Sequence, residues 1–211
     1  MRSGISLVLA GAAGKGVQTV EGILLSVLKS EGYGVFASKE YMSRVRGGSN
    51  STEIRVSSGD PKSFVRSIDI FFPFDAAAFE HIRPRIEETT LIVADERIVP
   101  GSADYRVLHA PVSSLAKELG NPLYENVAAA GVILGILGAN VGGLDGYLRR
   151  RFSSKGESVV EGNIEAGHRG YKIGEHLAYA ENLDMKIETG RHDTETTLLD
   201  GTEAIGIGAL L

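Results

Sequence analysis

Apolar residues fall in short blocks over the first half of the chain and in long helical stripes over the second. Ile5 to Ala10 is a short apolar run ending in glycines, the pattern of a buried strand. Beyond the glycines, Val17, Val20, Ile23, Leu24, Val27 and Leu28 recur at helical spacing, with Gln18, Glu21 and Lys29 off the stripe. Gly32 and Gly34 stop that helix and Val35-Phe36-Ala37 opens a second strand. Strand, helix and strand in so short a stretch predict a βαβ unit and a parallel sheet.

Further on, Thr52, Ile54 and Val56 alternate with Glu53 and Arg55, predicting a strand with one wet face. Gly59-Asp60-Pro61 is a turn. Ile68 to Phe74 predicts a strand with Pro73 at its end or edge, because proline cannot donate to a ladder. Ala76 to Ile82 reads as a short helix, Leu91 to Ala94 as a buried strand closed by Asp95, and Tyr105 to Leu108 as one more strand before a helix from Ser113 to Leu119. The remainder is helical: Asn126 to Asn140, Leu144 to Phe152, and about Val159 to Ala180. The fold class expected is α/β, a Rossmann-like parallel or mostly parallel sheet flanked by helices, with a helical C-terminal part.

On the third of these helices Asn163, Gly167, Gly170 and Gly174 share one face. A glycine inside a helix costs roughly 1 kcal/mol relative to alanine, so close approach of another backbone is the expected compensation, with simple tolerance in a long helix as the alternative. Val127 to Ala139 is the most apolar stretch. It is shorter than the ~20 residues that span a bilayer, which predicts a buried helix and no membrane role. Residues 181–200 are polar, without a sustained period, and read as a linker. The segment from Gly201 to Leu211 is apolar and rich in small residues, the look of a module that has only begun.

Composition narrows the function classes. The formal net charge of −5 argues against a general nucleic-acid binder, which carries a basic field. The chain has no cysteine, so it supplies no thiolate to an iron–sulfur cluster, no disulfide and no thiol nucleophile. That usage and the lack of a signal-like N-terminal run fit a cytoplasmic protein. The five histidines, His81, His109, His168, His176 and His192, show no metal-ligand spacing and read as packing or surface residues. No nucleophile elbow, zinc-protease motif or carboxylate pair is present. Asp95 closes a strand, where catalytic acids often sit, but the position is more often structural.

Two loops carry candidate chemistry. Gly11-Ala12-Ala13-Gly14-Lys15-Gly16 joins the first strand to the first helix, where helix N–H groups and glycine backbone receive anions. It is neither a P-loop, which needs Ser or Thr after Lys, nor the G-x-G-x-x-G dinucleotide turn. The end of the second strand also shows Lys39 where a ribose-binding acid is wanted. The readings left are an anion or nucleotide site and a tight turn that packs. The second loop, Tyr41 to Asn50, sets Arg44 and Arg46 before Gly47, Gly48 and Ser49, suited to contact an anion or another subunit. A solvated loop is the alternative.

Taken together, Gly11–Val17, Tyr41–Ser49 and the strand Glu53–Ser57 resemble the gamma subunit of the 2-oxoacid:ferredoxin oxidoreductases, whose members include the pyruvate, 2-oxoglutarate and indolepyruvate enzymes. The family turn reads like G-x-G-G-Q-G-V, and Gly11 to Val17 keep its frame with a changed middle. The family's Tyr before Arg-Gly-Gly, and its Arg-Ile-Ser strand, correspond to Tyr41, Arg46-Gly47-Gly48 and Arg55-Val56-Ser57. Asn126 before Gly131 and Gly135, then Lys155, Asn163 and Gly170-Tyr171, look similar as well. Asp200-Gly201-Thr202-Glu203-Ala204 resembles the D-G-N-E-A opening of the alpha module, with Thr202 for Asn.

The resemblance implies a gamma domain over residues 1–180, a linker over 181–200 and the start of an alpha, thiamine pyrophosphate-type module over 201–211. It implies a complex that oxidatively decarboxylates a 2-oxoacid to an acyl-CoA and passes electrons to ferredoxin. Thiamine pyrophosphate, Mg and the iron–sulfur clusters would belong to the alpha and beta modules, and a homo- or hetero-oligomer is expected. Coenzyme A is the cofactor implied for this domain, with Gly11, Gly14, Lys15, Gly16, Arg46, Gly47, Gly48 and Ser49 as the residues expected to hold it. No catalytic residue and no metal ligand is expected here. A free-standing nucleotide-binding or regulatory Rossmann-like module is the alternative.

Overall fold

The computed structural model describes residues 2–42, 48–99, 104–188 and 197–210. Six strands, β1 (Gly4–Ala12), β2 (Gly34–Glu40), β3 (Ser49–Ser57), β4 (Ile70–Pro73), β5 (Leu91–Ala94) and β6 (Arg106–His109), form one sheet in the order β2-β3-β1-β4-β5-β6. β1, β4, β5 and β6 are parallel neighbours, whereas β3 is antiparallel to both β1 and β2.

β2 runs parallel to β1, as the βαβ pattern predicts, but it is not its neighbour in the sheet. β3 is inserted between them and the sheet is mixed. The physical reason is length and face. β3 matches β1 over its whole run, from Gly4 opposite Ser57 to Ala12 opposite Ser49, and it turns Ile54 and Val56 into the same core as β1's Leu7 and Leu9. Pro73 is the last residue of β4, and the following amide, Phe74 N, donates to Ala10 O at 2.8 Å, so the ladder loses nothing to the proline.

Helices α1 (Val17–Ser30), α3 (Val112–Glu118), α4 (Tyr124–Leu137), α5 (Val141–Phe152) and α6 (Glu157–Ala180) build the thick layer on one face. The other face carries α2 (Ala76–Ile82) and a smaller core of Val8, Phe71, Ile82 and Ile92. α4 is buried on nearly every side, as a helix without a polar face must be.

At Gly131, Gly135, Gly170 and Gly174 the backbones of α4 and α6 approach each other closely. A Cβ on Gly131 would stand 2.3 Å from Gly167 O, and one on Gly170 would stand 2.2 Å from Ala128 O. Close backbone approach thus accounts for them. Close packing along the whole contact replaces what the glycines cost in helix propensity.

The stretch read as a linker from residue 181 is docked at its start. Met185 and Ile187 are buried, and Arg2 N donates to Lys186 O at 2.9 Å. Apolar residues alternate there with Asp184, Lys186 and Glu188, a strand-like period hidden in a polar composition. α7 (Gly201–Leu210) buries no residue. Its N-terminus is a capping box: Glu203 N donates to Asp200 Oδ1 at 2.8 Å and Asp200 N to Glu203 Oε2 at 2.9 Å.

Candidate functional site: a glycine cleft at the head of α1

β1 ends where two connections leave the sheet on opposite faces, α1 on one and, after β4, α2 on the other. Crevices at such switch points, outside the carboxyl ends of parallel strands, are where ligands bind in open α/β sheets. Here the turn from Gly11 to Gly16 forms one wall of a cleft of about 400 Å³. Tyr41 after β2 and Asn50, Ser51 and Thr52 at the start of β3 form the other, and Gln18 and Thr19 of α1 complete it.

The turn is tied down by Asp75, which the sequence patterns do not single out, and abutted by Asn126. Asp75 accepts from Ala12 N at 2.7 Å while its other oxygen accepts from Ala78 N at 2.8 Å, capping α2. One carboxylate so ties the turn to the next strand's helix. Its signal in the sequence was an Asp directly before an alanine-rich helix, an N-cap pattern. Gly16 has φ 86°, and a Cβ there would meet the Asn126 amide of α4 at 2.1 Å. Gly14 has φ 87° with open space around it, and Gly11 is pressed against Phe74 Cβ. Because Gly16 has no side chain, nothing of its own caps α1, whose first turn opens on the cleft.

Of the residues expected from sequence, Gly11, Gly14 and Gly16 line the cleft. Lys15 does not: its side chain is exposed outside the turn. Gly48 and Ser49 are buried where β3 begins, beside the cleft and off its wall. Ser49 Oγ has no hydrogen-bond partner among the described residues. Arg46 and Gly47 lie outside the described residues. Tyr41 and Asn50 belong to the loop singled out in the sequence, whereas Thr52 counts there only as a strand position and Ser51 carries no signal.

Charged groups around the cleft are mostly paired. Lys39, beside Thr52 in the sheet register, donates to the buried Glu21 at 3.1 Å. Burial pulls the Lys39 ammonium down, but Glu21, with Tyr41 and Asp200, more than offsets this and holds it above its ordinary value. On the α2 side, Ser51 Oγ donates to Glu40 Oε2 at 3.0 Å and His81 Nε2 lies 3.2 Å from the same oxygen. The hydrogen bond with His81 leads in holding the Glu40 carboxyl below its ordinary value.

Asp95 proves structural. Burial pushes its carboxyl up, but hydrogen bonds from Arg97 and Ser113 outweigh that and set it at about 2. His168 does have an acid partner, on α5: its Nε2 lies 2.6 Å from Asp145 Oδ1. Among the described residues no group of three or more His, Asp or Glu is placed to hold a metal ion, and no helix is long and apolar enough to cross a membrane.

A six-stranded mixed sheet with a glycine turn feeding α1 and a helical C-terminal part defines a Rossmann-like α/β domain. The family model described as pyruvate ferredoxin/flavodoxin oxidoreductase matches residues 6–173, and the chain belongs to this family. Within it the chain is a gamma-type domain of the 2-oxoacid:ferredoxin oxidoreductases.

The 2-oxoglutarate synthase subunit KorC of Archaeoglobus fulgidus is 24% identical over 176 residues, covering 82% of this chain and 89% of that protein. The 2-oxoacid:ferredoxin oxidoreductase subunit alpha of a Sulfolobus species is 31% identical over 109 residues, which cover 47% of this chain and 17% of the relative. The solved 2-oxoglutarate:ferredoxin oxidoreductase of Magnetococcus marinus, with 2-oxoglutarate, coenzyme A and succinyl-CoA bound, superposes on all of this chain at a TM-score of 0.87 and 22% identity, using 37% of its own length. The gamma subunit of a keto/oxoacid ferredoxin oxidoreductase from Geobacter sulfurreducens gives a TM-score of 0.65 at 18% identity, over 82% of this chain and 99% of its own. The chain thus spans nearly all of a separate small subunit and only a fraction of the longer relatives. The structural likenesses establish the fold.

Proposed function

We propose that this chain is the non-catalytic gamma module of a complex that oxidatively decarboxylates a 2-oxoacid to its acyl-CoA and delivers the electrons to ferredoxin, and that it serves coenzyme A binding and assembly. The observation that carries the reading is the glycine cleft: a hollow of about 400 Å³ over an uncapped helix start, walled by backbone that glycine lets a ligand approach. The helix dipole and the turn's N–H groups suit a diphosphate, and Tyr41, Asn50, Ser51 and Thr52 offer a ring and polar groups to the rest of an elongated ligand. Gly48 and Ser49 lie at the start of β3, and Arg46 and Gly47 are proposed as further contacts to the anion, Arg46 by a bidentate one.

Thiamine pyrophosphate, Mg and the iron–sulfur clusters would supply decarboxylation and electron transfer from the alpha and beta modules. A chain without cysteine fits that division. The layout proposed is a gamma domain over 1–180, a connection over 181–200 and the opening of an alpha module over 201–211, in a homo- or hetero-oligomer working in the cytoplasm. Calorimetric titration of coenzyme A into the chain, with NAD as control, tests the reading. Binding in the micromolar range, weakened about tenfold by Arg46→Ala, is expected from one lost charged contact. No binding, or binding of NAD alone, overturns the cofactor assignment.

A further inference from the structure

A second hollow of about 300 Å³ adjoins the glycine cleft and shares Gln18 and Thr19 with it. Its other wall is the last turn of α5, through Tyr147, Arg151 and Phe152. The two hollows are therefore one groove running across the first turn of α1, from the β3 side to the α5 side. Such a groove suits a long ligand rather than a compact one.

The cations near the groove differ in what they are free to do. Lys39 is bound to Glu21 at 3.1 Å, and Arg85, on the far side of the sheet, is bound to Glu53 at 2.6 Å. Arg149 is held by Glu161 at 3.0 Å and reaches Glu157 at 3.5 Å. Arg151 has no carboxylate partner among the described residues, and its contact is with the Phe152 ring, 6.0 Å from its centroid. A guanidinium left unpaired at the edge of a polar hollow retains its five donors for an incoming oxyanion, and its planar fork matches phosphate in a way that an ammonium does not. Arg150 lies on the same helix, is exposed, and does not line the groove.

We propose that Arg151 is a specificity residue for the ligand of the glycine cleft, receiving a phosphate at the α5 end of the groove while the turn and the head of α1 receive the rest. The ligand class is an elongated molecule with phosphates at separate points along it, as coenzyme A has. The proposal rests on the coenzyme A reading above.

The experiment is titration of coenzyme A into the full chain and into its Arg151→Met and Arg150→Met variants, at low and high salt. Both side chains are exposed, and a thermal melt verifies that each variant folds. Arg151→Met is expected to weaken binding about tenfold and to flatten the salt dependence. Arg150→Met, which removes the same charge from the same helix, should stay within about twofold, since a screened charge away from the ligand contributes little. Equal affinities for the two variants overturn the role of Arg151 while the coenzyme A reading stands. A native chain that does not bind coenzyme A overturns both.

Discussion

Asp95 shows how a residue placed like a catalytic acid can be wholly engaged in structure. It closes β5 and accepts from the backbone and side chain of both Arg97 and Ser113, so it fixes the first turn of α3 to the sheet. Its folded value of about 2 lies below the ordinary 3.8. The ionised form is therefore the one that stabilises, in full above the ordinary value, and that stabilisation is lost as pH falls toward 2. Urea unfolding of the native chain and of Asp95→Asn should show a gap in midpoints that is constant near neutrality and shrinks as the pH drops from about 4 toward 2. A gap that does not change with pH would mean the carboxylate charge is not what holds α3. At this scale the glycine turn was legible in the sequence, because a strand, a glycine cluster and a helix follow one another directly. Asp75 was not, and Asn126 enters only as part of the family resemblance. Their importance lies in what they touch across the fold, the Ala12 amide and the space over Gly16.

Among the elements, the helices follow their stripes closely, since the period of each is a local property. Pairing between strands is not local, which is why the insertion of β3 escaped a reading that took β1, α1 and β2 as a unit. The α4–α6 contact is the clearest case of sequence reporting on packing: glycines with no local purpose pointed to a neighbour's backbone. Gly174→Ala puts a Cβ 2.0 Å from Val132 O. Backbone cannot yield as a flexible side chain would, so a loss of about 1–3 kcal/mol in stability is expected. Gly206→Ala in α7 meets nothing within 4 Å and should only raise helix content, by up to about 1 kcal/mol in propensity. Denaturant melts and circular dichroism of the two variants check the contrast. Similar effects for both would remove close approach as the reason for the glycines.

For the molecule as a whole, the described chain divides into a well-packed body and one helix outside it. α7 is capped at its start and exposes Ile205 at 76% and Leu210 at 89%. An apolar surface of this kind marks a place of contact. Because α7 buries nothing, a chain lacking residues 197–211 should melt within about 2 °C of the full chain, and should associate less with rising concentration in sedimentation. A large fall in melting temperature would instead show that the helix docks on the body.

β2 pairs with β3 alone among the described strands, and β3 joins β1 across residues 37 to 53 positions apart. That arrangement imposes an order in time. The second strand to leave a ribosome has no seat in the sheet until the third has been made and has found the first. Closing that long loop is the slow kind of event in folding. Tyr41 and the start of β3 belong to this late piece, so the wall they give the glycine cleft stands only once β3 lies against β1. A newly made chain therefore encloses nothing there until its third strand has met its first.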